Sequence, residues 1–165
     1  SYFKLWETFH RKFHGTSADS LGAILASDKL AQPGEKLVGL DGEMTELSIP
    51  AGHISSSAAR QNKHLGKRDE EFDPRQVFFS PTIRYAAKEI YANSKEWTDP
   101  QGGGRFKVQV VLSLLVKPGS YGVGQSTADR TNDPVVHDND IECYVKDSAI
   151  SGTLLTGVLV RVRPA

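Results

Sequence analysis

The stretch Phe106–Val116, FKVQVVLSLLV, constrains the fold more than any other part of the chain. It is rich in β-branched residues and nearly continuous in apolar character, which marks a strand. Pro118-Gly119 stops it. It falls well short of the ~20 apolar residues that a membrane-crossing helix needs, and no other run in the chain approaches that length. A second strand is expected at Leu154–Val162. Its alternating end, Val160-Arg161-Val162-Arg163, predicts one exposed face. Val77–Ser80 and Ile141–Val145 read as shorter strands.

Helices are expected mainly in the first half. Ser17 is placed to cap a helix running to about Ala26, with Leu21, Ile24 and Leu25 turned inward. Pro81 opens another that is expected to run through about Ala92, since proline is tolerated in a first helical turn. Arg11–Gly15 reads as a short strand ending at the glycine. Ser1–Phe9 fits either a strand or a short helix. Leu30–Leu40 reads as irregular and strand-like about the Pro33-Gly34 turn. Asp41–Gln76 is polar and lacks periodicity, and an irregular insertion of that length in a compact domain points to function or mobility. Ser94–Arg105 and Gly122–Asp140 read as loops. Helices early and strands late imply a mixed α+β domain rather than a regular βαβ alternation.

A length of 165 residues suits one domain with one core. The abrupt aromatic start, SYFKLWETF, suggests a domain from a longer protein. The 20 Lys and Arg balance the 20 Asp and Glu, so bulk charge gives no argument for nucleic acid or an anionic membrane as partner. Cys143 is the one cysteine, so no intrachain disulfide is possible, which favours an intracellular compartment, cytoplasmic or nuclear.

Several familiar site templates do not fit. There is no phosphate-cradling G-x-x-x-x-G-K-[ST] loop and no G-x-S-x-G elbow. YGVGQS lacks the third glycine of a dinucleotide fingerprint and opens no helix. His10 and His14 have ligand spacing but no companions, whereas a zinc site needs three or four ligands. The acidic HDNDIE lacks the glycine and register of a calcium loop. No metal is therefore expected. Cys143, within a strand, reads as packing rather than as a nucleophile.

Three stretches in order carry chemistry instead: KFHGTS at Lys12–Ser17, VFFSPTIRYAAKEIYA at Val77–Ala92 and DNDIECYVKD at Asp138–Asp147. Histidine, tyrosine and glutamate on these elements resemble the His-Tyr-Glu branch of the ADP-ribosyltransferase superfamily, that of the poly(ADP-ribose) polymerases. The likeness spans the chain from His14 to the final strand. More narrowly it is to the transferase-like module of a Neuralized-like protein. It implies split, mostly antiparallel β-sheets with a central NAD-binding cleft and few flanking helices. It also implies cleavage of the nicotinamide–ribose bond of NAD⁺, through an oxocarbenium-like transition state of the kind met in glycoside hydrolysis.

By that resemblance His14 donates a hydrogen bond to the adenosine ribose, and Gly15 offers its backbone N–H and C=O to the carboxamide, a close approach that the missing Cβ permits. Thr16 or Ser17 would assist at ribose hydroxyls. Phe79 and Ser80, at the end of the FFS strand, are counted as cofactor-binding, with Ser80 toward the carboxamide. An aromatic ring would stack on the nicotinamide for ~0.5–2 kcal/mol. Glu142 would bind the nicotinamide ribose 2′-OH and stabilise the developing charge.

Two tyrosines compete for the stacking role. Six residues apart on a helix they differ by about 240°, so they cannot share a face. Tyr91 is assigned to the triad. Tyr85 is left as a second wall of the pocket or as core packing. The expected catalytic residues are thus His14, Tyr91 and Glu142, lining the cleft, and Ser55–Gln76 is expected as a mobile loop or short helix beside it. The basic run Arg60, Lys63, Lys67, Arg68 is either a solvated face or a guide for the pyrophosphate. Transfer of a single ADP-ribose unit to a protein, nucleic acid or nucleotide acceptor is one functional expectation. A catalytically silent module that binds NAD⁺ or ADP-ribose, or a protein partner, is the other.

Overall fold

In chain order the elements are α1 (Tyr2–Thr8), β1 (His10–Thr16), α2 (Ala18–Ser27), β2 (Lys36–Val38), β3 (Met44–Glu46), β4 (Val77–Phe79), α3 (Ile83–Ala86), β5 (Lys95–Thr98), β6 (Arg105–Val116), β7 (Gly122–Gly124), β8 (Glu142–Val145) and β9 (Thr153–Pro164). The computed structural model describes residues 2–30, 36–38, 42–46, 76–124, 126, 133–145 and 152–165. Apart from Gln76, the segment 55–76 lies outside these, and so does its basic run. The chain is α+β, its sheets antiparallel and its helices few.

β6 organises the molecule. β9 pairs with it antiparallel along Phe106–Val116. A strand has only two edges, so β5, against Arg105–Val108, and β1, against Val110–Val116, share the other. A second sheet has the order β4-β8-β7. Among the described residues the two sheets meet at one bridge, where Phe13 and Ser80 exchange both main-chain hydrogen bonds at 2.7 and 2.8 Å. β2 and β3 form a separate hairpin.

Alternation assigns two sides to this arrangement. On one side Val110, Leu112, Leu114 and Val116 of β6 pack with Val77 and Phe79, with Cys143 and Val145, and with Ala23 and Ile24 of α2. On the other, Phe13 and Val111 pack with Ala86 and Ala92. The first cluster draws on both sheets and is the main core.

Several elements differ from the sequence reading. The first segment, read as either a strand or a short helix, is helical over Tyr2–Thr8, as α1. In α2, capped by Ser17, Ala23 and Ile24 are buried but Leu25 is 46% exposed. β3, β5 and β7 lie in stretches read as loops. They are only three or four residues long, too short for a periodic pattern to show; β3 and β5 pair in hairpins with the strand next to them in sequence, and β7 with the more distant β8. In the β5–β6 hairpin Asp99 accepts from the N–H groups of Gln101 and Gly103, and Gly102 and Gly104 take positive φ of 83° and 116°. The end of β9 was expected to expose one face. Val160 and Val162 are 55% and 56% exposed and Leu159 and Arg161 are exposed too, because this part of β9 is a sheet edge with no layer over it among the described residues.

The largest correction concerns α3, which stops at Ala86 rather than reaching Ala92. The Ala87 carbonyl, which an α-helix would give to Tyr91, is taken by Gln109 Nε2 of β6 at 2.8 Å. The same nitrogen takes the Ala92 carbonyl at 2.7 Å, and the Tyr91 N–H turns to Lys88 O at 2.9 Å. A buried amide on a neighbouring strand therefore overrides the helical propensity of AAKEIYA.

Candidate functional site

The bend after Ala86 brings together what a continuous helix would keep apart. Tyr85 and Tyr91 have hydroxyls 2.7 Å from each other and ring centroids 5.2 Å apart. The expectation that they face different ways fails because it assumed six residues of unbroken helix. Both hydroxyls reach Oε2 of Glu142, Tyr85 at 2.7 Å and Tyr91 at 3.4 Å. Ser126 Oγ lies 3.0 Å from the Tyr85 hydroxyl. Three hydroxyls thus cluster about one carboxylate.

Each member is held from behind. Glu142 starts β8, next to Cys143, which sits in the main core and pairs with Phe79. Tyr85 sits in α3, where Thr82 caps the helix by accepting from the Tyr85 N–H at 3.3 Å. Tyr91 is set by the Gln109 clamp on the bend. Tyr85 and Glu142 are 2% and 1% exposed, whereas Tyr91 is partly exposed. Burial, with the nearby Glu142 charge second, pushes the Tyr85 phenol from 10.0 up to about 12. It therefore remains a proton donor across the physiological range.

Gly15 belongs to this side of β1. A Cβ built there would run into the main-chain carbonyl oxygen of Ala86 and stand 2.9 Å from Tyr91 Cβ and 3.0 Å from the Tyr91 carbonyl carbon. The glycine of HGT is thus required by the chain's own bend. Ser80 is buried and follows β4 directly, with its Oγ accepting from the Thr82 N–H at 3.1 Å.

Other expected residues lie elsewhere. Phe79 packs in the main core with its ring edge-on to Tyr121, 5.7 Å between centroids. Thr16, also buried, pairs with Val110 at the end of β1. His14 pairs with Leu112 and so shares the side of Lys12 and Thr16 rather than that of Gly15. Its Nδ1 lies 2.6 Å from the carbonyl oxygen of Phe78. A carbonyl only accepts, so Nδ1 carries the proton. His14 supplies this bond just past the Phe13–Ser80 bridge, where main-chain pairing of β1 with β4 ends. It ties the two sheets together at the point where they part.

Two residues in the site went unnoticed in the sequence. Ser126 lies in a polar stretch with nothing to distinguish it. Gln109 is a polar residue inside the most apolar strand of the chain, and that position was the available signal. Among the described residues no group of three or more histidine, cysteine, aspartate or glutamate side chains is placed to hold a metal, and no helix is long and apolar enough to cross a membrane. No protein-family model matches the chain, and no solved structure matches it.

Proposed function

We propose that the chain is an ADP-ribosyltransferase with a fold of that superfamily's split-sheet type, cleaving NAD⁺ and transferring one ADP-ribose unit to an acceptor. The observation that carries this reading is the convergence of Tyr85, Tyr91 and Glu142. A carboxylate among hydroxyl-bearing aromatic rings suits a substrate that presents a planar cation joined to a ribose. Tyr91, the more exposed ring, would stack on the nicotinamide. Glu142 would hydrogen-bond the adjacent ribose hydroxyl and face the positive charge that grows as the glycosidic C–N bond lengthens. The bonding pair leaves with nicotinamide, and an acceptor lone pair forms the new bond to the same carbon and gives up a proton. His14 would meet the adenosine ribose, apart from this cluster.

A second reading has its own support. Glu142 is almost fully buried and covered by two phenols, which suits a silent module that binds NAD⁺, ADP-ribose or a protein without turnover. Nicotinamide release followed by chromatography, with NAD⁺ binding measured by calorimetry, separates the two on wild type and Glu142→Ala. The transferase reading expects release to fall by on the order of 10²-fold or more in the variant, the scale for losing one transition-state stabiliser. Affinity for NAD⁺ should stay within a few-fold, because the lost interaction belongs mainly to the transition state. Equal release by both proteins removes Glu142 from the chemistry. Binding without release by either supports the silent module.

A further inference from the structure

We infer that Tyr85 is the positioning residue of this site: its hydroxyl fixes the Glu142 carboxylate in the orientation that transfer requires. The inference rests on the transferase reading above and deepens it. A phenol has one proton. Tyr85 donates it to Glu142 Oε2 at 2.7 Å. With that proton committed, Tyr85 accepts in its contacts with Tyr91 at 2.7 Å and Ser126 at 3.0 Å, and the single proton of Tyr91 is shared between Tyr85 and the longer contact with Glu142 Oε2. The donors therefore run in one direction, from Ser126 and Tyr91 to Tyr85 and from Tyr85 to the carboxylate. Each bond polarises the next toward Glu142.

The two tyrosines are not equivalent in this array. Tyr85 makes the shorter bond to the carboxylate, is buried, and is anchored through its own N–H to the Thr82 cap. Tyr91 makes the longer contact of 3.4 Å, is partly exposed and follows the bend. An arriving ribose hydroxyl takes up the weaker contact first. Tyr85 stays in place, and Glu142 is met already oriented rather than free to rotate.

The test is steady-state nicotinamide release by Tyr85→Phe, Ser126→Ala and the double variant, each checked for folding by its thermal midpoint. Tyr85→Phe keeps the ring and removes only the donor. The expected result is a fall in kcat of about tenfold to a hundredfold, the scale for losing an orienting partner behind a reacting group, with KM for NAD⁺ within a few-fold. Ser126→Ala is expected to lower the same parameter less. Adding it to Tyr85→Phe should cost almost nothing more, because Ser126 acts through Tyr85. A Tyr85→Phe enzyme with wild-type kcat, or one altered only in KM, overturns the inference while leaving the transferase reading intact. Should Tyr85→Phe not fold, Ser126→Ala decides, and a wild-type kcat there overturns the inference. A wild type that releases no nicotinamide overturns the transferase reading itself, and the role of Tyr85 in transfer with it.

Discussion

Gly15 shows how a single residue serves geometry before chemistry. Its Cα faces the main chain of the bend, and any side chain there would push into the Ala86 carbonyl oxygen first and into Tyr91 next. Gly15→Ala is expected to cost about 1–3 kcal/mol, the range for forcing extra volume into a packed site, read as a lower denaturant midpoint with an unchanged slope. Tyr85 yields a prediction in pH. Its folded-state phenol titrates near 12 against an ordinary 10.0, so folding disfavours the phenolate. The stability this contributes is complete below pH 10 and is lost as pH rises through about 12. Unfolding free energy measured across that window should fall in the wild type, and fall less in Tyr85→Phe. Glu142 was legible in the sequence as a carboxylate among apolar strand residues, and Gly15 as a glycine at a strand end. That these two positions share one site was expected from the resemblance and not from any local pattern, since β1 and β8 are distant in sequence and lie in different sheets.

At the scale of elements, the bend after α3 decides the site. The pattern IRYAAKEIYA favours helix, and local propensity gave Tyr85 and Tyr91 opposite faces. What reverses this is Gln109, whose side-chain amide holds the Ala87 and Ala92 carbonyls. The strong strands were legible because continuous β-branched runs have few alternatives. The bend was not, because its cause lies on β6. Gln109→Ala leaves two carbonyls without this donor in a buried setting, a loss of about 1–3 kcal/mol. The same variant frees Tyr91 from its place over Glu142. The expected outcome is a lowered thermal midpoint together with a changed near-ultraviolet tyrosine circular dichroism signal. An intact tyrosine signal would mean that the bend holds its shape without the clamp.

For the whole molecule the question is how two sheets joined by one backbone bridge behave as one body. The bridge at Phe13 and Ser80 supplies two hydrogen bonds, and His14 adds one to Phe78. At about 0.5–1.5 kcal/mol each these cannot hold the sheets together alone. The main core does so, because Leu112 and Leu114 of β6 belong to the same buried cluster as Phe79 of β4 and Cys143 of β8. Unfolding should therefore be one cooperative event, even though Glu142 of the tyrosine cluster lies in the second sheet while Trp6 is on α1 and Trp97 on β5 of the first. Leu112→Ala removes a fully buried side chain at the centre of that cluster. It is expected to cost about 2–5 kcal/mol, the transfer and cavity terms together. The informative measurement follows tryptophan fluorescence and tyrosine circular dichroism in one denaturant titration. In wild type and variant alike the two curves should coincide, with the variant's midpoint lower. If the tyrosine signal is lost first, the cluster has a stability of its own, and the site can open while the first sheet stays folded.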